Sequence, residues 1–375
     1  MSRDFLFIAL AMFTWGMGEG MYINFQPIYL SELGASPTQI GGIISAFGLT
    51  MMFAHIPAGY LSDRIGRKPL LVVAWALGIV GAGVQALATT LPLLIAGILL
   101  YGFTAFVSSP LSSYITAARG RFSVGRALTF ISAGYNLGAM IGAGLGGRIG
   151  EVWGLRYNYF VACAIFVLST LLIFFTGPQP IEKNVAQENG NGCVFNPRFL
   201  FFLGIVFLAT FAMLLPQTLT SKFLQEERAL SLEKIGGLYA LSSVGVVILS
   251  LALGQLPVRW GFVMAQLAVG IFTVSIWRGN GLFWYSAGLF LMGGFRTARS
   301  FAMAQVRSMV HGAKMGLAYG LTETVAASAV VLAPLLAGYL YTQNPVLMYV
   351  FGASGIGFSI LVSALRPSDA SHSMV

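Results

Sequence analysis

The chain has 375 residues, a net charge of +9, 57% hydrophobic residues and only 9% charged ones. A soluble domain carries roughly 25% charged residues, so a surface facing water on all sides is excluded. Two cysteines, Cys163 and Cys193, and three scattered histidines exclude a disulfide framework, a metal cluster and a recognisable catalytic constellation.

Apolar runs long enough to cross about 30 Å of hydrocarbon as helices recur along the whole chain. They are too long and too uniform for barrel strands, so the fold class is an all-α polytopic membrane protein. Hydropathy predicts twelve spans, at 5–30, 38–61, 69–89, 91–117, 125–150, 156–176, 198–223, 233–256, 261–277, 281–307, 314–341 and 345–365. The first run follows Arg3 and resembles a signal peptide, but it is too long and holds Glu19 midway, so it is read as retained.

Along that first helix, Trp15, Glu19, Tyr22 and Gln26 recur at spacings of 4, 3 and 4 and share one face. A polar and aromatic stripe makes poor lipid contact and suits a watered, ligand-lining surface. Between the second and third spans, "AGYLSDRIGRKPLL" packs Asp63, Arg64, Arg67 and Lys68 into six residues, bracketed by Gly59 and Gly66. The polar break 178–197 separates an N-terminal six-helix bundle, 1–177, from a C-terminal one, 198–375. With the N-terminus inside, 13 Lys and Arg fall on the cytoplasmic side and 6 outside. That asymmetry predicts a plasma-membrane protein with both termini and the linker in the cytoplasm. It also accounts for the positive charge without a nucleic-acid partner.

The two bundles repeat each other. Ile40-Gly41-Gly42 matches Ile235-Gly236-Gly237 at an offset of 195, which also carries Gly59, Arg64 and Gly66 onto Gly254, Arg259 and Gly261. At an offset of 191, Gly102, Gly125 and Gly147 match Gly293, Gly316 and Gly338. A parallel repeat of this kind places a substrate site between the halves near the midplane.

"GYLSDRIGRKPLL" resembles the signature loop between helices 2 and 3 of the major facilitator superfamily, G-x-L-x-D-R-x-G-R-K/R, and the likeness extends over the whole chain. The resemblance implies a monomeric secondary transporter that rocks around its site, with no cofactor, no metal and no enzymatic step. It implies that Asp63 latches the cytoplasmic ends of the halves in the outward-facing state, with Arg64 and Arg126 as partners. It also implies that helices 1, 4, 7 and 10 line the cavity, which brings in Gln217 on helix 7 and Tyr101 or Phe106 on helix 4. Two signatures of drug–proton antiporters are broken: Ile98 stands where helix 4 should carry an arginine, and Ala143 replaces the helix 5 proline.

Four ionisable residues fall well inside spans: Glu19, Arg296, Arg299 and Glu323. Such residues are costly in hydrocarbon and mark pathways or partners. Glu323 is within reach of Arg296 or Arg299, which leaves one arginine facing Glu19 from the other half. Glu19 and Glu323 are the candidate proton-coupling groups. The substrate-binding set is Trp15, Glu19, Tyr22, Gln26, Gln217, Arg296 and Arg299. The arginine surplus favours a small organic solute bearing a carboxylate or phosphate, with protons as the candidate coupling ion. The alternatives are proton-coupled efflux of amphipathic or cationic drugs and, from another class, a transporter-like sensor without net flux.

Overall fold

The computed structural model describes residues 2–178, 197–306, 309 and 315–365, without the side chains of 55–65, 109 and 315–317. In the first half they form α1 (Arg3–Tyr22), α2 (Gln26–Glu32), α3 (Pro37–Ile65), α4 (Arg67–Leu87), α5 (Leu91–Gly102), α6 (Ser108–Ala118), α7 (Val124–Trp153) and α8 (Leu155–Phe174). In the second half they form α9 (Pro197–Gln217), α10 (Thr220–Glu226), α11 (Leu232–Leu253), α12 (Val258–Arg278), α13 (Leu282–Met292), α14 (Gly294–Val306), α15 (Met315–Gln343) and α16 (Leu347–Leu365). There is no strand among the described residues. An apolar span must satisfy its backbone polar groups internally, and a helix does so within one segment. Serine side chains start several helices: the hydroxyls of Ser2, Ser123 and Ser231 accept the N–H of Phe5, Arg126 and Lys234.

Ten of these helical segments are long and apolar enough to cross a membrane; residues 91–107 with 110–118 make an eleventh, bent by 42°. The remaining predicted span, 281–307, is divided at Gly293 into α13 and α14, each too short to cross alone. The first and seventh predicted spans are interrupted as well, after Tyr22 and after Gln217. The breaks thus fall in the first helix of each successive group of three. Breaks expose backbone groups, which a membrane tolerates where protein or water can satisfy them.

Gly66 joins α3 to α4 with φ 85°, a turn that strains any residue with a side chain. This gives one glycine of the charged loop a local reason to be there. The side chains of Asp63 and Arg64, and the surroundings of Gly59, lie outside what is described; Arg126 is exposed at the start of α7.

Each half packs on itself, α1 against α7 and α8 in the first, α9 against α15 and α16 in the second. The halves meet along two seams, α3 with α15 and α7 with α11. The repeat explains both, because the glycines it matches meet crosswise, Gly147 with Gly236 and their counterparts Gly338 with Gly41. A Cβ built on Gly147 would stand 2.5 Å from the Leu232 carbonyl oxygen and 3.0 Å from the Gly236 Cα. A Cβ built on Gly338 would stand 2.5 Å from the Pro37 oxygen and 3.1 Å from the Gly41 Cα. Missing side chains let the backbones of the two halves touch.

Polar ties close the same end. The Leu232 N–H donates to Glu151 Oε2 at 2.6 Å, the Thr38 and Thr342 hydroxyls share a bond of 2.9 Å, and Lys222 Nζ donates to Ser31 Oγ at 2.5 Å. Towards the other end Thr129, Ser132 and Ala133 of α7 and Arg299 and Ser300 of α14 are exposed, so the halves diverge there. Gly147→Leu is expected to wedge the α7–α11 seam. Spin labels at the exposed Gln39 and Gln343 would then report a longer mean separation at the closed end. An unchanged distance distribution would show that the seam does not hold that end.

Candidate functional site

A cavity of about 260 Å³ lies between the halves, lined by α1, α7, α9, α11, α13 and α14 with the connection that follows α1. Its polar residues are Asn24, Tyr135, Asn136, Gln217, Tyr239, Ser242, Ser243 and Arg296, and Met292 and Phe295 supply apolar wall. Both halves contribute, as a site read alternately from two sides requires.

Local structure explains how the charges reach it. Small residues on α1 and α7 bring these helices into close contact: a Cβ on Gly20 would lie 2.8 Å from the Ala139 Cα. That approach places Glu19 beside Tyr135, whose hydroxyl donates to Glu19 Oε2 at 2.7 Å. Arg296 comes from α14, just after the break at Gly293, and reaches across the interface. Its guanidinium carbon stands 5.8 Å from the Tyr135 ring centroid, and its Nη1 donates to Asn136 Oδ1 at 3.4 Å. An acid of the first half and a base of the second thus meet around one tyrosine.

The second pair is separate. Arg299 is bonded to Glu323, the two side chains are 57% and 40% exposed, and neither lines the cavity. The choice of partner left open by the sequence is decided by the faces of α14: Arg299 reaches Glu323 of α15, whereas Arg296 turns to Tyr135 and Asn136 of α7.

Not every candidate residue joins this group. Gln217 lines the cavity, its amide nitrogen donating to the Met213 carbonyl at 2.7 Å. Trp15 instead stacks on Phe166 with centroids 4.3 Å apart and meets Trp75 and Tyr101, all within the first half. Tyr22 is buried against Tyr101 and Tyr159. Gln26 is buried at the start of α2. The helical stripe therefore points mainly into the interior of its own bundle, and Glu19 lies at the edge nearest α7. Phe106 and Tyr101 likewise pack with the hydrophobic interior of the first half.

Tyr135, Asn136, Tyr239 and Ser242 also line the cavity, although the family resemblance points to helices 1, 4, 7 and 10. They lie on α7 and α11, the fifth and eighth predicted spans. A signal existed: Tyr135-Asn136 is a polar step within the glycine run "GYNLGAMIGAGLGG".

A model of the Major Facilitator Superfamily matches residues 8–263. Among curated relatives, Multidrug resistance protein 2 of Bacillus subtilis is 23% identical over 377 residues, covering 96% of this chain and 92% of that one. Quinolone resistance protein NorA of Staphylococcus aureus is 22% identical over 391 residues and covers 96% of both. Among solved structures, the nucleoside transporter NupG superposes with a TM-score of 0.79 at 14% identity, over 97% of this chain and 98% of that one, which shows the shared fold. With twin bundles, a cavity between them and a family match over more than half its length, the chain belongs to the Major Facilitator Superfamily and is a multi-pass membrane transporter.

Proposed function

We propose that the protein couples protons to the movement of a small, polar organic anion, with Glu19 as the proton carrier and Arg296 as the anion-binding group. The observation that carries this reading is the contact of Glu19, Tyr135 and Arg296 across the interface. With Glu19 ionised, each of the four intramembrane charges has an opposite charge near it, Glu323 bonded to Arg299 and Glu19 joined to Arg296 through Tyr135. Protonation of Glu19 leaves Arg296 without a counter-charge, and an anion restores the balance. Proton and anion therefore favour each other's binding, the thermodynamic requirement for coupled flux in the same direction. The mixed polar lining of the cavity supports a polar solute over a greasy one.

The bundles 1–177 and 198–375 rock about the two seams, with 178–197 as the linker between them. The excess of Lys and Arg assigns the open end to the cytoplasm, together with both termini, and the protein to the plasma membrane. The described state is then inward-facing. One chain supplies both halves of the site, so a monomer suffices for transport and no chemical step is required.

A second reading is proton-coupled efflux of amphipathic or cationic compounds, favoured by the likeness to the multidrug and quinolone resistance proteins above. A single experiment separates them. The protein is reconstituted in vesicles holding a pH-sensitive dye and offered carboxylates, sugar phosphates, neutral sugars and cationic drugs. Proton entry accompanying an anion is the expected result. Proton movement with cations alone would overturn the anion reading in favour of the second.

A further inference from the structure

On the perimeter of the second half, away from the transport cavity, a groove of about 690 Å³ runs between α12, α16 and the start of α13. Its floor is apolar and is opened by missing side chains. A Cβ on Gly357 would meet nothing within 4 Å, and one on Gly270 would only touch Ile356 at 3.4 Å. Leu267, Ile271 and Val274 of α12 line it and are exposed. In a protein that crosses a membrane this face is covered by hydrocarbon.

Two features of the groove give its occupant a shape and a charge. From Leu267, near the middle of α12, to Arg278 at its end is about 16 Å at the helical rise. One leaflet supplies about 15 Å of hydrocarbon, so the groove is as long as an acyl chain is deep. At its mouth stand Arg278, Asn280 and the exposed Trp284. Tryptophan and arginine side by side at a helix end suit the headgroup level.

Arg278 is not required to cap its own helix. Arg228 does that, its Nη2 donating to the Trp277 carbonyl at 2.5 Å and the Ile276 carbonyl at 3.3 Å. The Arg278 guanidinium lies over the Trp277 ring at 4.4 Å and has no carboxylate partner among the described residues.

We propose that this groove is a binding site for an anionic phospholipid, with the phosphate on Arg278 and one acyl chain lying between α12 and α16. The site is independent of the transported solute, since neither α12 nor α16 lines the cavity.

Native mass spectrometry of the full-length protein tests it, with dioleoyl phosphatidylglycerol and dioleoyl phosphatidylcholine offered in equal amounts. One basic residue near the headgroups is worth about a five-fold preference for the anionic lipid. The wild type should show that preference, and Arg278→Ala should equalise the two lipids. Gly357→Leu should reduce retention of both by filling the groove, and the open space at that position leaves the fold unchanged, as an unaltered thermal midpoint would confirm. Equal retention by the wild type, or a preference that survives both substitutions, would overturn the proposal. So would a dimer that Gly357→Leu converts to monomer, because a second copy would then be the occupant.

Discussion

Glu19→Gln is expected to abolish accumulation of solute against a gradient while leaving exchange of solute across the membrane intact. Glutamine keeps the size and a hydrogen-bond acceptor for the Tyr135 hydroxyl, but it has no proton to give up. The variant is held in the equivalent of the protonated state, in which Arg296 lacks a counter-charge and an anion binds at either side. A gradient of one pH unit is worth about 1.4 kcal/mol per proton, or about ten-fold accumulation for one proton per solute. Wild-type vesicles under such a gradient should approach that ratio, and the variant should stop at equal concentrations inside and out. Its uptake should also lose its dependence on external pH. Uphill accumulation that survives in Glu19→Gln would assign the proton to another group, and the exposed Glu323 would be the next to substitute.

Arg296→Ala and Arg299→Ala should differ sharply although they lie one helical turn apart. Arg296 lines the cavity, where Arg299 does not, and a hydrogen bond to a charged group there is worth about 1.5–3 kcal/mol. Its loss should weaken binding of a carboxylate or phosphate solute by about 10- to 100-fold, read as a diminished thermal shift or by calorimetry. Binding of a cationic amphiphile should be spared, since Arg296 opposes a positive ligand. Arg299 is engaged with Glu323 in an exposed bridge, and exposed pairs contribute about 0–1 kcal/mol. Arg299→Ala should therefore leave affinity within about five-fold of wild type. Equal losses in the two variants would mean that the solute sits nearer the open end than the cavity floor.

Combining Glu19→Gln with Arg296→Ala gives a further diagnostic of the first result. If the two side chains act on each other through the Tyr135 contact, their effects on affinity will not add.

The membrane class, the spans, the repeat and the unusual position of Glu19, Arg296, Arg299 and Glu323 were legible in the sequence. Each rests on a property of one segment at a time: its length, its apolar content, or a charge where hydrocarbon is expected. The matched glycines were visible too, but their meaning was not. That Gly41 meets Gly338 and Gly147 meets Gly236 depends on crossing the repeats, which an alignment of one half with the other does not reveal.

Tertiary structure alone decided which faces look into the cavity. Periodicity establishes that Trp15, Glu19 and Tyr22 share a side of α1, yet α1 is packed on several neighbours, so an apolar or aromatic stripe can serve its own bundle as well as a ligand. Here Trp15 and Tyr22 are absorbed by Phe166, Tyr101 and Tyr159, while Glu19 turns to Tyr135. The pairing of Arg299 with Glu323 was settled the same way, by which face of α14 meets α15 and which meets α7. Sequence therefore fixes how much each span buries and how often its charges recur. Packing fixes what those charges face, because their partners lie on helices more than a hundred residues away in the chain for Glu19 and Arg296.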